Sequence, residues 1–392
     1  MQLSTGHLTY CTNIHAGESW DDHFLALQQN FPQIKKQVSP DQPMGVGLRL
    51  SNIASIDLQD ESKLNEFKTW LNENDAYVFT MNGFPYGGFH HTVVKDQVHT
   101  PDWTTDDRVN YTIRLFHILA KLLPEGMQGG ISTSPLSYKP WFTKPEEIEK
   151  ATYIATQNIL KVAEELHRIK QATDVTMHLD IEPEPDGFLE SGREFIDWYE
   201  NDLLLQSQGA LSLEAVRTHI NLCYDVCHFA IGYEPHQEII KELAEKEIPV
   251  GKLQISAALK ALLPDSPERL KVIESISRYN ELTYLHQVIA KTNNSELIRY
   301  RDLPQALADS NNETVTEWRA HFHVPIFAED LGLIKSTQSD IMEVLTIQKS
   351  KAFTDHLEVE TYTWEVLPDE LKVPIDQSII RELEWVKAQL LT

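Results

Sequence analysis

The sequence predicts an α/β protein, a (β/α)8 TIM barrel, on three observations. Short β-like runs alternate with helical patterns nearly from end to end of the 392 residues. Repeated βα units imply a parallel sheet, and eight of them close naturally into a barrel. Several runs alternate apolar and polar side chains, as strands with two different faces do. No stretch rich in Gly, Ser or Pro reads as a linker, so a single domain over residues 1–392 is expected.

The β-like runs, in order, are 9–15 (TYCTNIH), 45–51 (GVGLRLS), 77–82 (YVFTMN), 130–134 (GISTS), 175–187 (VTMHLDIEPEPDG), 220–225 (INLCYD), 252–256 (KLQIS), 321–327 (HFHVPIF) and 357–362 (LEVETY). That is nine runs for eight places. Helical spacing marks the intervals: Leu64, Phe67, Trp70 and Leu71; Val109, Ile113, Phe116, Ala120 and Leu123; and a long one from Ile148 through Ala155 and Val162 to Ile169. Later helices cover 195–205, 239–244 and 341–345. The segments 83–104 and 279–319 are too long for simple turns and are expected as walls or lids. The second, with TYLHQVIAK and ELIRYRD before HFHVPIF, is expected to form a small added sheet between strands 7 and 8, which absorbs the ninth run.

The run 175–187 shows the pattern most fully. Val175, Met177, Leu179 and Ile181 share one face, and His178, Asp180 and Glu182 share the other. The same parity opposes Val46, Leu48 and Leu50 to Gly47, Arg49 and Ser51, and Leu357 and Val359 to Glu358 and Glu360. With the apolar face against helices, the polar face must point into the lumen. Barrel lumens are usually packed with branched apolar layers, so a polar one implies a wet, liganded pocket at the strand ends.

Composition excludes several partners. The chain carries 34 Lys+Arg against 59 Asp+Glu, a net charge of -25, which repels phosphate backbones and anionic lipid surfaces. Nucleic acid is not expected as a partner. Cys11, Cys223 and Cys227 are an odd and sparse set, which fits a reducing compartment better than a disulfide framework. MQLSTGHLTY lacks a charged n-region and an apolar h-region, and no apolar run approaches a membrane span, so a cytoplasmic location is expected.

Glu182, Asp225 and Glu360 each fall at or near a strand end, where a barrel would bring them to one mouth. A divalent metal is the usual reason to gather carboxylates, although each alone could simply cap a helix. His228, three residues after Asp225, turns toward the same pocket as ligand, support or substrate contact. Cys223, Cys227 and His228 also allow a thiolate zinc site, but Cys-x3-Cys without a second pair is a weak signal. Asn13, His15 and His178, with His321 and His323 spaced two apart, are candidate substrate contacts, and the Gly and aromatic loop 83–91 (GFPYGGFHH) is a candidate lid.

With YDVCH and Glu182-Pro183 in hand, the chain resembles the xylose isomerase-like TIM-barrel superfamily of sugar isomerases, epimerases and endonuclease IV. The resemblance implies a metal held by Glu182, Asp225, Gln254 and Glu360, with Glu182, Glu360 and His228 in catalytic roles. Gln254 stands where His is more usual, and a neutral amide oxygen is the weaker ligand. GHLTYCTNIHAGESW, GKLQISAAL, HFHVPIF and HLEVETYTWEVLP resemble more closely the metabolite traffic protein EboE family, over essentially the full chain. That resemblance implies a cytoplasmic barrel working with other proteins of one gene cluster in metabolite export or processing. Two functions are open at this stage. One is an isomerase or epimerase dependent on manganese, zinc, cobalt or magnesium and acting on a polyhydroxylated carbonyl compound, a sugar or cyclitol; the other is a metabolite carrier on the same barrel. Retention of both acids and the Asp-x-x-His favours the enzyme.

Overall fold

Eight strands run parallel and in chain order around a closed barrel in the computed structural model, which describes residues 1–90, 92–369 and 372–391. They are β1 (Gly6–Tyr10), β2 (Met44–Arg49), β3 (Ala76–Asn82), β4 (Gly129–Thr133), β5 (Met177–Ile181), β6 (Ile220–Asp225), β7 (Val250–Ile255) and β8 (His356–Val359). β8 pairs with both β7 and β1, and a parallel bridge from Cys11, just past β1, to Gly47 joins β1 to β2 and completes the ring. The first run ends earlier than its 9–15 pattern suggests. After Tyr10 the chain enters a 3-10 turn, Thr12–Ile14, so Asn13 and His15 sit beyond the strand.

The helices begin at their capping residues. Ser19 precedes Trp20–Val38, Thr105 precedes Asp106–Leu122 and Ser191 precedes Gly192–Trp198, each side-chain oxygen accepting a backbone N–H of the first turn. Among the described residues no helix is long and apolar enough to cross a membrane.

The lumen is polar, as the strand parity predicts. Lys252 Nζ donates to Glu358 Oε2 at 2.8 Å, Met81 O at 2.9 Å and Ser132 Oγ at 3.2 Å, and His178 Nδ1 lies 2.6 Å from Asp180 Oδ1. Glycines make the room for these groups. A Cβ at Gly47 would run into the Glu358 carboxylate, and one at Gly251 into that of Asp180. Val46, Leu48, Leu253, Ile255, Leu357 and Val359 are buried in the surrounding hydrophobic core.

Between β7 and β8 an inserted five-stranded antiparallel sheet is built from Leu259–Leu262, Val288–Thr292, Leu297–Tyr300, Val315–Ala320 and Lys335–Ser336. It extends beyond the expected 279–319 at both ends. TYLHQVIAK and ELIRYRD do supply strands, but HFHVPIF does not. The strand is the preceding Val315–Ala320, and residues 321–327 run on without a ladder and turn at Ile326 and Phe327. Burial does not alternate along them, since residues 321–326 are all buried, and Pro325 has no N–H to give a sheet.

Candidate metal centre

Parallel strands all point their C-terminal ends to one mouth, and three carboxylates meet there. Glu182 is one residue past β5, Asp225 ends β6, and Glu360 is one residue past β8. One oxygen from each lies within 4.8 Å of the others, and all three side chains are buried. Asp225 also caps the short helix Val226–Ile231, taking Cys227 N at 2.8 Å on Oδ1, which accepts from Ser256 Oγ as well. Glu360 is held by three amides: Asn13 Nδ2 at 2.7 Å and Asn82 Nδ2 at 2.9 Å on Oε1, and Gln254 Nε2 on Oε2.

Electrostatics make this an unfinished arrangement. Burial, then the neighbouring Asp225, pushes the Glu182 carboxyl well above the carboxylate range and that of Glu360 up to about 8. Among the described residues no lysine or arginine pairs with any of the three, because Lys252 beneath them is committed to Glu358. Glu182 Oε2 and Asp225 Oδ2 are buried with no hydrogen-bond partner. Hard oxygen donors left unpaired in a cluster of like charge fit a divalent cation.

Histidines adjoin the trio. His228 donates from Nδ1 to Pro183 O at 2.9 Å, and His321 donates from Nδ1 to Gln287 Oε1 at 2.9 Å. The Gln287 amide is oriented by its own donation to Pro185 O at 3.0 Å. Those tautomers leave two Nε2 lone pairs facing each other at 3.2 Å, an arrangement that calls for a proton or a metal cation between them. His323 donates from Nδ1 to Glu360 O at 3.1 Å, and its buried Nε2 has no partner. Asp225, His228 and His323 form a second ligand group, and Cys227, His321 and His323 a third. Burial first, then neighbouring histidines, lowers His321 to about 3 and His323 well below the usual imidazole range, which keeps both rings in the neutral form that binds metals.

A cavity adjoins the trio, and of the expected residues Asn13, Glu182, His228, His321 and Glu360 line it. Asp225, Gln254 and His323 are not among its lining residues. His15 is set behind the wall, with Nε2 3.2 Å from Tyr10 Oη. Two expectations need correction. His178 lines a separate cleft at the N-terminal end of the barrel with His356. It shares a face with Glu182, but four residues along a strand is about 13 Å. Gln254 turns its amide nitrogen to Glu360 and its oxygen to the Cys223 thiol at 3.5 Å, so it orients a ligand instead of being one.

Loop 83–91 does reach the cavity through Phe84, Pro85 and Phe89, and His90 donates from Nε2 to Asn13 O at 2.6 Å; His91 lies outside the described residues. Phe89, Tyr284 and Tyr362 form a roof, their ring centroids 5.0 to 5.3 Å apart. Asn82, Glu184, Lys95, Tyr284 and Tyr362 also line the cavity without having been singled out from sequence. Asn82 ends β3 much as Asp225 ends β6, and that parity was a usable signal.

Solved structures similar to this chain include the IolI protein with a bound zinc atom (13% identity, TM-score 0.49, 98% of each chain covered). A xylose isomerase domain containing protein from Salmonella typhimurium LT2 is similar at 11% identity and TM-score 0.45 over 100% of each chain. A xylose isomerase-like TIM barrel protein from Mycobacterium smegmatis in complex with magnesium is similar at 8% identity and TM-score 0.45, covering 96% of this chain and 90% of that one. No family model and no curated protein matches the sequence. The barrel assignment rests on the strand order itself.

Proposed function

We propose that this protein is a divalent-metal-dependent isomerase or epimerase that moves a proton beside the carbonyl of a small polyhydroxylated compound, a sugar or cyclitol. The observation that carries this reading is the buried trio Glu182, Asp225 and Glu360, with unpartnered oxygens, under a roofed cavity. Manganese, zinc, cobalt or magnesium, held there by the three carboxylates with His323 Nε2 beside them, would supply Lewis-acid polarisation of a carbonyl and its neighbouring hydroxyl.

The chain's own groups divide the remaining work. Glu360 is fixed by three amides, whereas among the described residues no hydrogen bond engages either carboxylate oxygen of Glu182. Glu182 is therefore the acid that takes and returns the proton, and Glu360 the fixed ligand. His228 stands beside that carboxylate, its Nδ1 3.7 Å from Glu182 Oε1. Phe89, Tyr284 and Tyr362 keep bulk water off the reacting carbon. As the EboE resemblance implies, the product passes to other proteins of the same gene cluster.

The test is incubation of manganese-loaded protein in deuterated water with a panel of hydroxyaldehydes, hydroxyketones and inososes, read by mass. Deuterium gain at carbon supports the enzyme. Tight binding with no exchange and no product makes the protein a carrier.

A further inference from the structure

We infer that the substrate carries an amine and no phosphate or carboxylate, and that Glu184, which lines the cavity beside Glu182, binds its ammonium group. The inference deepens the proposed function and rests on it. Two independent features of the cavity lead there.

The first is Glu184 itself. Its side chain is buried and lines the same cavity as Glu182. Oε1 lies 3.4 Å from His99 Nε2 and 3.4 Å from Gln287 Nε2, and among the described residues no hydrogen bond uses Oε2. Its backbone is held on both sides, the N–H by Leu189 O at 3.1 Å and the carbonyl by Gly187 N at 3.0 Å, between Pro183 and Pro185. A fixed carboxylate with one open oxygen is a receptor for a donor, best for a charged one.

The second is that no lysine or arginine among the described lining residues is free to greet an anion. Lys95 is the one lysine or arginine among the described lining residues, and its ammonium sits 2.8 Å from Asp302 Oδ2 and 3.3 Å from Glu281 O. Arg49, nearby, is committed to Glu18 and Gly17 O, each at 3.3 Å. The helix N-terminus at the mouth is occupied by the Asp225 carboxylate. With one divalent ion bound, the four carboxyl groups Glu182, Glu184, Asp225 and Glu360 leave the site no positive charge to spare. A phosphate or carboxylate on the substrate would find repulsion and no partner, and such groups are recognised by arginine, lysine or open helix N-termini.

The experiment measures binding of glucosamine, glucose and glucose 6-phosphate to manganese-loaded protein at mildly acidic pH, where the amine is charged, by water-proton relaxation at the bound manganese. Glucosamine is expected to bind on the order of tenfold more tightly than glucose, the worth of one charge-assisted hydrogen bond, and glucose 6-phosphate more weakly than either. Glu184→Gln keeps the shape and is expected to bring glucosamine to the level of glucose, with manganese content unchanged. Glucose 6-phosphate binding as well as glucosamine, a preference that survives Glu184→Gln, or no binding of any of the three overturns the inference. Failure of the isomerase reading shows separately, as missing manganese or missing deuterium exchange.

Discussion

Lys252 and Glu358 form an ion pair at the centre of the barrel, Nζ to Oε2 2.8 Å, with both side chains wholly buried. Removing one partner strands a charge in the lumen, which costs about 3–5 kcal/mol. Lys252→Met is expected to destabilise the protein by that amount in urea denaturation. Adding Glu358→Gln to the same chain should recover a large part of it. If the two single costs simply add, the pair is not coupled and the lumen is more hydrated than its burial indicates.

Metal content separates ligands from the residues that orient them. Dialysed against manganese, zinc, cobalt or magnesium, the wild type is expected to hold roughly one ion per chain. Asp225→Ala should abolish retention, since Asp225 belongs to two of the three ligand groups. Gln254→Leu and Asn82→Ala leave the ligands in place but release Glu360, and should weaken binding about 10–100-fold in competition with a chelator. Full retention by Asp225→Ala removes Asp225 from the set.

His178 provides the contrasting case. It is bonded to Asp180 at the far end of the barrel, so His178→Asn should leave metal content and exchange intact while lowering stability, because Asp180 is fully buried. A variant that is stable but fails to bind substrate would return His178 to the site.

Stability should also depend on pH through Glu382. This buried carboxyl accepts from Thr361 Oγ1 at 2.8 Å and Ile326 N at 3.2 Å, and burial raises it from 4.5 to about 7. The folded chain thus binds this proton more tightly than the unfolded one. Its contribution, at most about 3 kcal/mol, is complete below about pH 4.5 and is lost as pH rises through about 7. Glu382→Gln should flatten that part of the stability profile; an unchanged slope assigns the effect elsewhere.

How much of this was legible beforehand follows from what strand periodicity encodes. Parity placed Glu182, Asp180 and His178 on the lumen face, and the strand-end positions of Glu182, Asp225 and Glu360 brought them to one mouth. Parity is silent about depth, so His178 and Glu182 looked equivalent. It is equally silent about which way an amide points, which decides the role of Gln254. The roof and the far end of the cavity depend on contacts with no local signature. Lys95 meets Asp302 across 207 residues, and Val94 N meets Thr283 O at 2.7 Å, so Tyr284 arrives in the cavity only because the insert docks there. In HFHVPIF the alternation of histidines with apolar residues imitated a strand, but residues 321–326 are buried alike and pair in no ladder, so the period was one of residue type and not of burial.

The sharpest consequence concerns the two glutamates, which the sequence treats alike and the hydrogen bonds do not. Glu360 receives three amide donors, while among the described residues no hydrogen bond engages the Glu182 carboxylate. A proton acceptor must be able to offer a lone pair to the hydrogen on the substrate carbon, and an oxygen already committed to Asn13 and Asn82 is poorly placed to do so. Glu182→Gln is therefore expected to keep most of its manganese and its ligand affinity while losing deuterium exchange by about 10²–10⁴-fold, the usual worth of a general base. Glu360→Gln keeps one oxygen but sets an NH2 group against the amide donors on the other, so it should lose metal first and exchange only as a consequence. Raising manganese until the site is saturated then distinguishes them. Exchange should return in Glu360→Gln and stay absent in Glu182→Gln, whereas recovery in both at high manganese would make Glu182 a ligand only and move the search for the base to His228.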